Sequence, residues 1–303
     1  MHMKKIIVIG SCNTDMVIKT DRLPAPGETV LGGTFLMNAG GKGANQAVTA
    51  ARQGGNVTFI SKTGNDIFGK QSVELYNTEG INTDYIFSDE KNPSGVALIT
   101  VDSHGENCIV VASGANGSLS PQDIDSAKAE IESGDFILMQ LEIPIETVEY
   151  VAALAQKKNI PVILNPAPAR VLSENLLKCL YAIIPNENEA EILSGIKVSD
   201  FESAKKAADV ISGKGVDNVV ITMGAQGAFV KEGAEYYMVD ATKVTAVDTT
   251  AAGDSFSGAF CVGLAEGKSI REAVKGATRV AAITVTRMGA QSSIPYRNEV
   301  AFA

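Results

Sequence analysis

The chain is short of the side chains that most nucleophilic and zinc enzymes depend on. Only two histidines occur in 303 residues. His2 stands in a Met1-His2-Met3 start that reads as dispensable, and His104 stands in a Ser-His-Gly-Glu turn. So few histidines argue against a histidine-based triad and a multi-histidine metal site. The four cysteines, Cys12, Cys108, Cys179 and Cys261, lie far apart with no C-x-x-C pair. That usage fits reduced thiols in a cytoplasmic protein and excludes a disulfide framework or a cysteine-bound zinc. Positive charge is also scarce, with a formal net charge of −9. So acidic a chain is not a non-specific nucleic-acid binder. Any anionic ligand must be met by local backbone dipoles, a few Lys or Arg side chains and a metal ion. No run of 18 apolar residues occurs, and the N-terminus runs directly into a strand. Neither a membrane span nor a signal peptide is expected.

Two nucleotide fingerprints are missing as well. No G-x-G-x-x-G follows the first strand, which argues against a dinucleotide site. The Gly41-Lys42 pair is not a Walker A loop, because the first glycine of that motif would fall at Leu36 and Gly43 stands where Ser or Thr belongs.

What is present is a full globular composition, 45% hydrophobic and 20% charged. Residues 4–10 form a short β-branched run ending at Gly10, as a buried parallel strand does. Similar runs recur at 56–61, 135–141, 161–164, 181–184 and 218–222. Helical patterns lie between them at 43–53, 68–79, 121–132, 146–158, 187–193 and 201–212, and two more follow at 253–266 and 270–285. The alternation predicts an α/β fold of one domain, with a mainly parallel central sheet and helices on both faces. Two stretches, about 14–37 and 94–112, hold strand-like pieces and turns without helices. They are expected to form a small antiparallel sheet inserted into the main domain, a lid beside a cleft. Its exposed face needs a cover, and a second subunit's lid would supply it, giving a homodimer.

The densest chemical signal is Asp248-Thr249-Thr250-Ala251-Ala252-Gly253-Asp254, followed by an apolar helical pattern. Small residues at a helix start let backbone N–H groups approach an anion such as a phosphate. Asp254 places a carboxylate inside that anion site, suited to taking a proton. The plainer alternative is an Asp that caps an ordinary helix. The second motif is Gly40-Gly41-Lys42-Gly43-Ala44-Asn45-Gln46-Ala47, where Lys42 and Asn45 offer donors to sugar hydroxyls. A helix packed tightly through small residues would read the same way. The third is Asn186 with Glu189. At i and i+3 the pair can face a hydrated magnesium ion, or can form a capping box. Ligands of parallel sheets bind beyond the carboxyl ends of strands. There the sequence collects Ser11, Cys12, Asn13, Thr14 and Asp15, then Glu142, then Asn165-Pro166-Ala167-Pro168, and Pro185 to Glu189. Thr222, Met223, Gly224, Ala225, Gln226 and Gly227 complete the set.

With these strings in place the chain resembles the ribokinase-like carbohydrate kinase family nearly end to end. The resemblance runs through Gly10-Ser11-Cys12-Asn13-Thr14-Asp15, Pro26-Gly27-Glu28-Thr29, the Gly40 motif and Asn165-Pro166-Ala167-Pro168-Ala169. It continues through Pro185-Asn186-Glu187 with Glu189, Asp248-Thr249 with Ala252-Gly253-Asp254, Thr286-Arg287 and Gly289-Ala290-Gln291. It implies ATP-dependent phosphorylation of the 5-hydroxyl of D-ribose. Asp254 would act as base, and backbone N–H groups of Ala251, Ala252, Gly253 and Asp254 would form an anion hole. Asn13, Asp15, Gly40, Gly41, Lys42, Gly43, Asn45 and Glu142 would hold the sugar. Asn186, Thr222, Met223, Gly224, Ala225, Gln226, Gly227, Gly253 and Thr278 would hold ATP, and Glu189 would place Mg2+ through water. The resemblance also implies a monovalent cation, usually K+, at Asp248, Thr250, Thr284, Arg287, Gly289 and Ser293. Two departures are visible: Ala251 stands where the family commonly has Gly, and Thr278 where a larger residue often borders the adenine. A deoxyribokinase or another kinase of this fold would share Asp254. A sugar-binding regulator on the same fold would not be expected to keep it.

Overall fold

β1 (Lys5–Ile9) sets the architecture. Ile7 and Ile9 enter one apolar cluster and Ile6 and Val8 another, and all four are fully buried. A strand apolar on both faces is satisfied only between two helical layers, and burying each such side chain contributes about 1.5–3 kcal/mol. The computed structural model describes residues 4–104 and 106–300; His2 and Gly105 lie outside the described residues.

After β1 the chain leaves the main sheet as a hairpin, β2 (Asn13–Lys19) and β3 (Thr34–Gly40). It resumes with α1 (Lys42–Arg52), β4 (Asn56–Gly64), α2 (Ile67–Thr78) and β5 (Ile86–Asp89). A second hairpin, β6 (Gly95–Val101) and β7 (Asn107–Ala112), leaves again. Helices and strands then alternate through α3 (Pro121–Ser126), α4 (Lys128–Glu132), β8 (Phe136–Met139), α5 (Ile145–Lys157), β9 (Val162–Leu164), α6 (Glu174–Leu177) and β10 (Ala182–Ile183). α7 (Glu187–Ser194), α8 (Phe201–Gly213), β11 (Asn218–Thr222), β12 (Ala228–Glu232) and β13 (Glu235–Val239) follow. α9 (Ala252–Ala265), α10 (Ile270–Thr284) and α11 (Arg297–Val300) close the chain.

Among the described residues the main sheet has nine strands in the order β13-β12-β11-β10-β9-β8-β1-β4-β5. It is parallel from β11 to β5, and β12 and β13 add an antiparallel edge that the sequence reading did not foresee. One face packs on α3, α4, α5, α7 and α8, and the other on α1, α2, α9 and α10. The mainly parallel α/β expectation holds, with helices on both faces. Residues 121–132 form two short helices in place of the one expected, because Ala127 leaves helical geometry between them.

The second sheet has the order β3-β2-β6-β7. It is not wholly antiparallel, as expected from its turns. Each hairpin is antiparallel, but β2 and β6 pair in parallel. The two hairpins leave the main sheet separately and join through their first strands, which fixes that pair's direction. Register puts Ile18, Phe35, Met37, Leu98 and Val110 on one face, opposite the face that carries Asp15. All five are at least 45% exposed, an unusual apolar surface for a soluble sheet.

The helical start of α1 is pressed onto the end of β1. A Cβ at Gly43 would lie 2.5 Å from the Gly10 carbonyl carbon and the Ser11 nitrogen. Gly41 adopts φ 88°, a left-handed conformation that glycine tolerates. Gly43 thus serves packing, and its packing brings Lys42, Asn45 and Gln46 over the strand ends.

Candidate active site

α9 begins without a side-chain cap. Ala251 is its N-cap residue, in left-handed geometry with φ 60°. That choice orphans the N–H groups of the first turn. Ala252 N–H donates to the Thr249 carbonyl at 3.2 Å. The N–H groups of Ala251, Gly253 and Asp254 have no acceptor among the described residues. Three of the four expected anion-hole donors are therefore free, at the positive end of a 14-residue helix.

Asp254 is 6% exposed and does not cap α9. Its Oδ2 accepts from Asn45 Nδ2 at 2.9 Å and its Oδ1 from Gln46 Nε2 at 3.0 Å. Both donors ride on the N-terminal part of α1. The helix-capping alternative fails on this geometry: the carboxylate is held by another helix beside orphaned donors. Each carboxylate oxygen retains acceptor capacity for a further proton donor.

The residues expected to hold a sugar are organised around β1 and β2. Asn116, buried, donates from Nδ2 to the Cys12 carbonyl at 3.0 Å and to Asn13 Oδ1 at 2.7 Å, so Asn13 is left with its amide N–H groups to offer. Glu142 Oε2 accepts from Ser11 Oγ at 2.6 Å and from the Lys42 N–H at 3.0 Å. Its other oxygen remains available. A Cβ at Gly40 would run into the Asp15 carboxylate, so that glycine makes room for it. Burial, then the nearby Glu142 and Asp254, push Asp15 up to about 6, and Lys42 alone opposes them. Lys42 is held above the ordinary lysine value, first by Asp254, against its own burial, with help from Glu142, Glu189 and Asp15. One ammonium thus answers four carboxylates.

Lys42, Asn186, Glu189, Thr222 and residues 251–254 line one cavity of about 180 Å³. Asn186 and Glu189 form a reciprocal capping box on α7: Glu189 N–H donates to Asn186 Oδ1 at 2.8 Å, and Asn186 N–H to Glu189 Oε2 at 2.9 Å. The capping reading therefore holds, and it leaves Glu189 Oε1 free toward the cavity. Burial raises Glu189 above the usual glutamate range. No group of three His, Cys, Asp or Glu side chains suited to a metal occurs among the described residues. The single free oxygen of Glu189 suits an outer contact to a hydrated ion. Met223 is buried in the core, while Gly224, Ala225 and Gln226 form an exposed turn closed by the Met223 N–H bond to the Gly227 carbonyl. Thr278 is buried with its hydroxyl on the Lys275 carbonyl. None of these last residues lines the cavity.

The residues expected at a monovalent cation converge in space. Asp248 Oδ1 accepts from the Thr250 N–H and hydroxyl, and Oδ2 from the Gly289 N–H at 2.9 Å. Burial opposes its charge, but the Thr250 and Gly289 donors hold it below the usual Asp range. Two distant loops are thus pinned beside the start of α9. The Thr284 carbonyl accepts from Arg287 N–H at 3.1 Å, whereas the carbonyls of Thr250, Arg287 and Gly289 accept nothing among the described residues. Unpaired carbonyl oxygens suit a monovalent cation, the Thr284 carbonyl keeps one lone pair, and buried Ser293 turns its hydroxyl to the Ala290 carbonyl at 2.7 Å.

Three residues escaped the sequence reading of the site, Gln46, Asn116 and Gln140, while Asn165 was collected at the strand ends without a role. Each is a buried amide, and two had a visible signal. Gln46 sits in a quoted motif, and Gln140 interrupts the apolar run 136–141.

A family model described as "pfkB family carbohydrate kinase" matches residues 3–297. The chain is 47% identical over 296 residues to a ribokinase of Haemophilus influenzae, covering 98% of this chain and 97% of that one. It is 40% identical to a deoxyribokinase of Salmonella typhimurium, covering 96% and 95%. A structure of Arabidopsis thaliana ribokinase complexed with ribose and ATP superposes with a TM-score of 0.93 at 32% identity, covering 99% and 98%.

Proposed function

The chain belongs to the pfkB family of carbohydrate kinases and is itself a kinase, and on that premise we propose that it transfers the γ-phosphoryl group of ATP to the 5-hydroxyl of D-ribose. The observation that carries this reading is the buried Asp254 carboxylate, fixed by two amides, within a helix start that presents three free N–H groups.

Asp254 accepts the proton of the sugar hydroxyl as its oxygen attacks phosphorus. The N–H groups of Ala251, Gly253 and Asp254 meet the charge on the moving phosphoryl oxygens. Lys42, between the sugar carboxylates and the cavity, offsets the negative charge that both sides bring. Asn13, Asp15, Asn45 and Glu142 orient the sugar. Asn186 and the turn 222–227 face the nucleotide. Magnesium, bound with the nucleotide phosphates, would neutralise their charge, and Glu189 Oε1 would accept from a water of its shell. A monovalent cation such as K+ on the free carbonyls would stiffen the loop that precedes Ala251. The outer face of the small sheet, with Phe35, Leu98 and Val110 exposed, is assigned to the same face of a second copy. Leu98→Glu should then turn a dimer into a monomer in sedimentation; a wild-type monomer would remove that assignment.

Identity to relatives does not separate ribose from 2-deoxyribose, since the deoxyribokinase lies at 40%. Asp15 beside Gly40 is the group placed to read the 2-hydroxyl, because a carboxylate rejects a sugar that leaves it unpaired. Turnover of ATP with D-ribose, 2-deoxyribose, fructose and adenosine tests the reading. Preference for D-ribose supports it, preference for 2-deoxyribose replaces the acceptor, and no turnover on any sugar rejects it.

Asp15 also gives the sugar step a pH dependence. Its folded value of about 6 is above the ordinary Asp value, so the free protein takes up a proton there as pH falls. A protonated carboxyl is a poorer acceptor for a sugar hydroxyl. Sugar affinity should therefore weaken below pH 6 and level off above it, read by calorimetric titration from pH 5 to 8. Asp15→Asn should flatten that profile. The linked stability runs the other way. Between the ordinary Asp value and about 6 the folded protein holds a proton that the unfolded chain has released, so stability falls as pH rises through that window.

A further inference from the structure

A row of buried amides stands behind Asp254; Asn165 reaches the cavity, whereas Gln46 and Gln140 do not line it. Gln46 and Gln140 are fully buried and Asn165 is 7% exposed. Gln46 Nε2 donates to Asp254 Oδ1 at 3.0 Å and to Asn165 Oδ1 at 3.1 Å. Gln46 Oε1 accepts from Gln140 Nε2 at 2.6 Å. Asn165 Nδ2 donates to the Ile184 carbonyl at 3.0 Å.

Both ends of this row are groups that accept and do not donate: a carboxylate and a main-chain carbonyl. The orientation of every amide between them follows. Gln46 must turn its NH2 toward Asp254, and both of its hydrogens are then used. Its oxygen must face Gln140, which must turn its own NH2 inward. Asn165 must give its NH2 to Ile184 and its oxygen to Gln46. Gly10 makes the room, since a Cβ there would collide with the Gln140 amide. The Gln140 oxygen, in return, has no partner among the described residues. A Leu or Met would fill the same volume without stranding a polar atom, so packing alone does not explain a glutamine here.

On the reading of Asp254 as proton acceptor, we infer that Gln46 and Gln140 are positioning residues for it. Gln140 fixes the rotamer of Gln46. Gln46, together with Asn45, fixes the plane of the Asp254 carboxylate, so that its remaining lone pairs face the acceptor hydroxyl. The row also ties that plane to Ile184, two residues before the nucleotide-side Asn186.

Gln140→Glu tests this with almost no change of shape. Once ionised at higher pH, the new carboxylate would face the Gln46 oxygen and Gln46 would turn its oxygen toward Asp254; protonated at lower pH it would donate as the amide does, so the loss should grow as pH rises. Steady-state kinetics with D-ribose and ATP should show kcat reduced about 100-fold, the usual consequence of a small misplacement of a reacting group. KM for both substrates should change by less than about threefold. Gln140→Met, which removes the guide without inverting it, should lose less, about 10-fold in kcat. If Gln140→Glu does not fold, as read by near-UV circular dichroism, the Met variant carries the test. In an Asp254→Asn background either change should produce no further loss, because nothing remains to be positioned. Wild-type kcat in the folded variants would overturn the inference, as would the same fold-loss in the Asp254→Asn background. Near-normal turnover of Asp254→Asn by itself would instead overturn the proton-acceptor reading, so the two failures are told apart.

Discussion

Asp254→Asn should lower kcat roughly 10³-fold, in the middle of the range for a general base. KM for sugar and nucleotide should stay within about threefold, because the carboxylate acts on the proton in the transition state and not on the ground-state complex. The substitution preserves shape but not hydrogen bonding. Asn45 and Gln46 both present N–H groups to Asp254, and an amide can accept only one of them without a donor meeting a donor. A loss of about 1–2 kcal/mol in unfolding free energy should accompany the kinetic loss. Single-turnover kinetics, calorimetric Kd values and denaturant unfolding on one preparation separate these effects. Retained turnover would remove Asp254 from the chemistry. A rise in both Kd values with the loss of kcat would make it a binding residue.

Lys42→Met should have the next largest effect. Four carboxylates, Asp254, Glu142, Glu189 and Asp15, act on this ammonium, and all four would remain in the cleft without it. A unit charge about 5 Å away in a partly buried site is worth about 3 kcal/mol at an effective dielectric near 20. kcat/KM for ATP should therefore fall roughly 100-fold, with little relief from salt because the pair is shielded from solvent. A second readout follows from the same electrostatics. Lys42 is what holds Asp15 down to about 6, so the pH midpoint for sugar binding should move upward in the variant. Lys42→Arg keeps the charge and should restore much of the ATP parameter. If only the KM for sugar changes and the pH midpoint stays, Lys42 is a sugar ligand and not the bridge between the two halves of the site.

Much of the fold was legible because the main sheet is periodic in sequence. Apolar runs of about four to seven residues alternate with helical patterns, and every one of the predicted main-sheet strands and helices occurs, with 121–132 broken in two. What was missed lies where that periodicity gives no signal. The β12 and β13 hairpin adds an edge that reads locally like any exposed hairpin. The parallel pairing of β2 with β6 joins segments some 80 residues apart. Of the candidate site, the sequence supplied Asp254, the glycine motif and the N-x-x-E pair. It could not rank their roles: Gly43 turned out to serve the seating of α1 on β1, and the Asn186–Glu189 pair to be a capping box that leaves one oxygen free.

Composition alone set the expectation against a histidine triad, a cysteine framework and non-specific nucleic-acid binding, because folding can gather only the side chains the chain contains. Local strings fixed where a helix would begin with small residues and an acid, because caps and close approaches are decided by neighbours in the chain. Only the tertiary structure decided that Asp254 is held by Asn45 and Gln46, more than 200 residues away, and that Ala252 is tied back while its neighbours are free. Only it placed Lys42 among four carboxylates and buried Gln140 behind them. Charge balance and the direction of a buried amide depend on what lies across the cleft, and that proximity is created by packing.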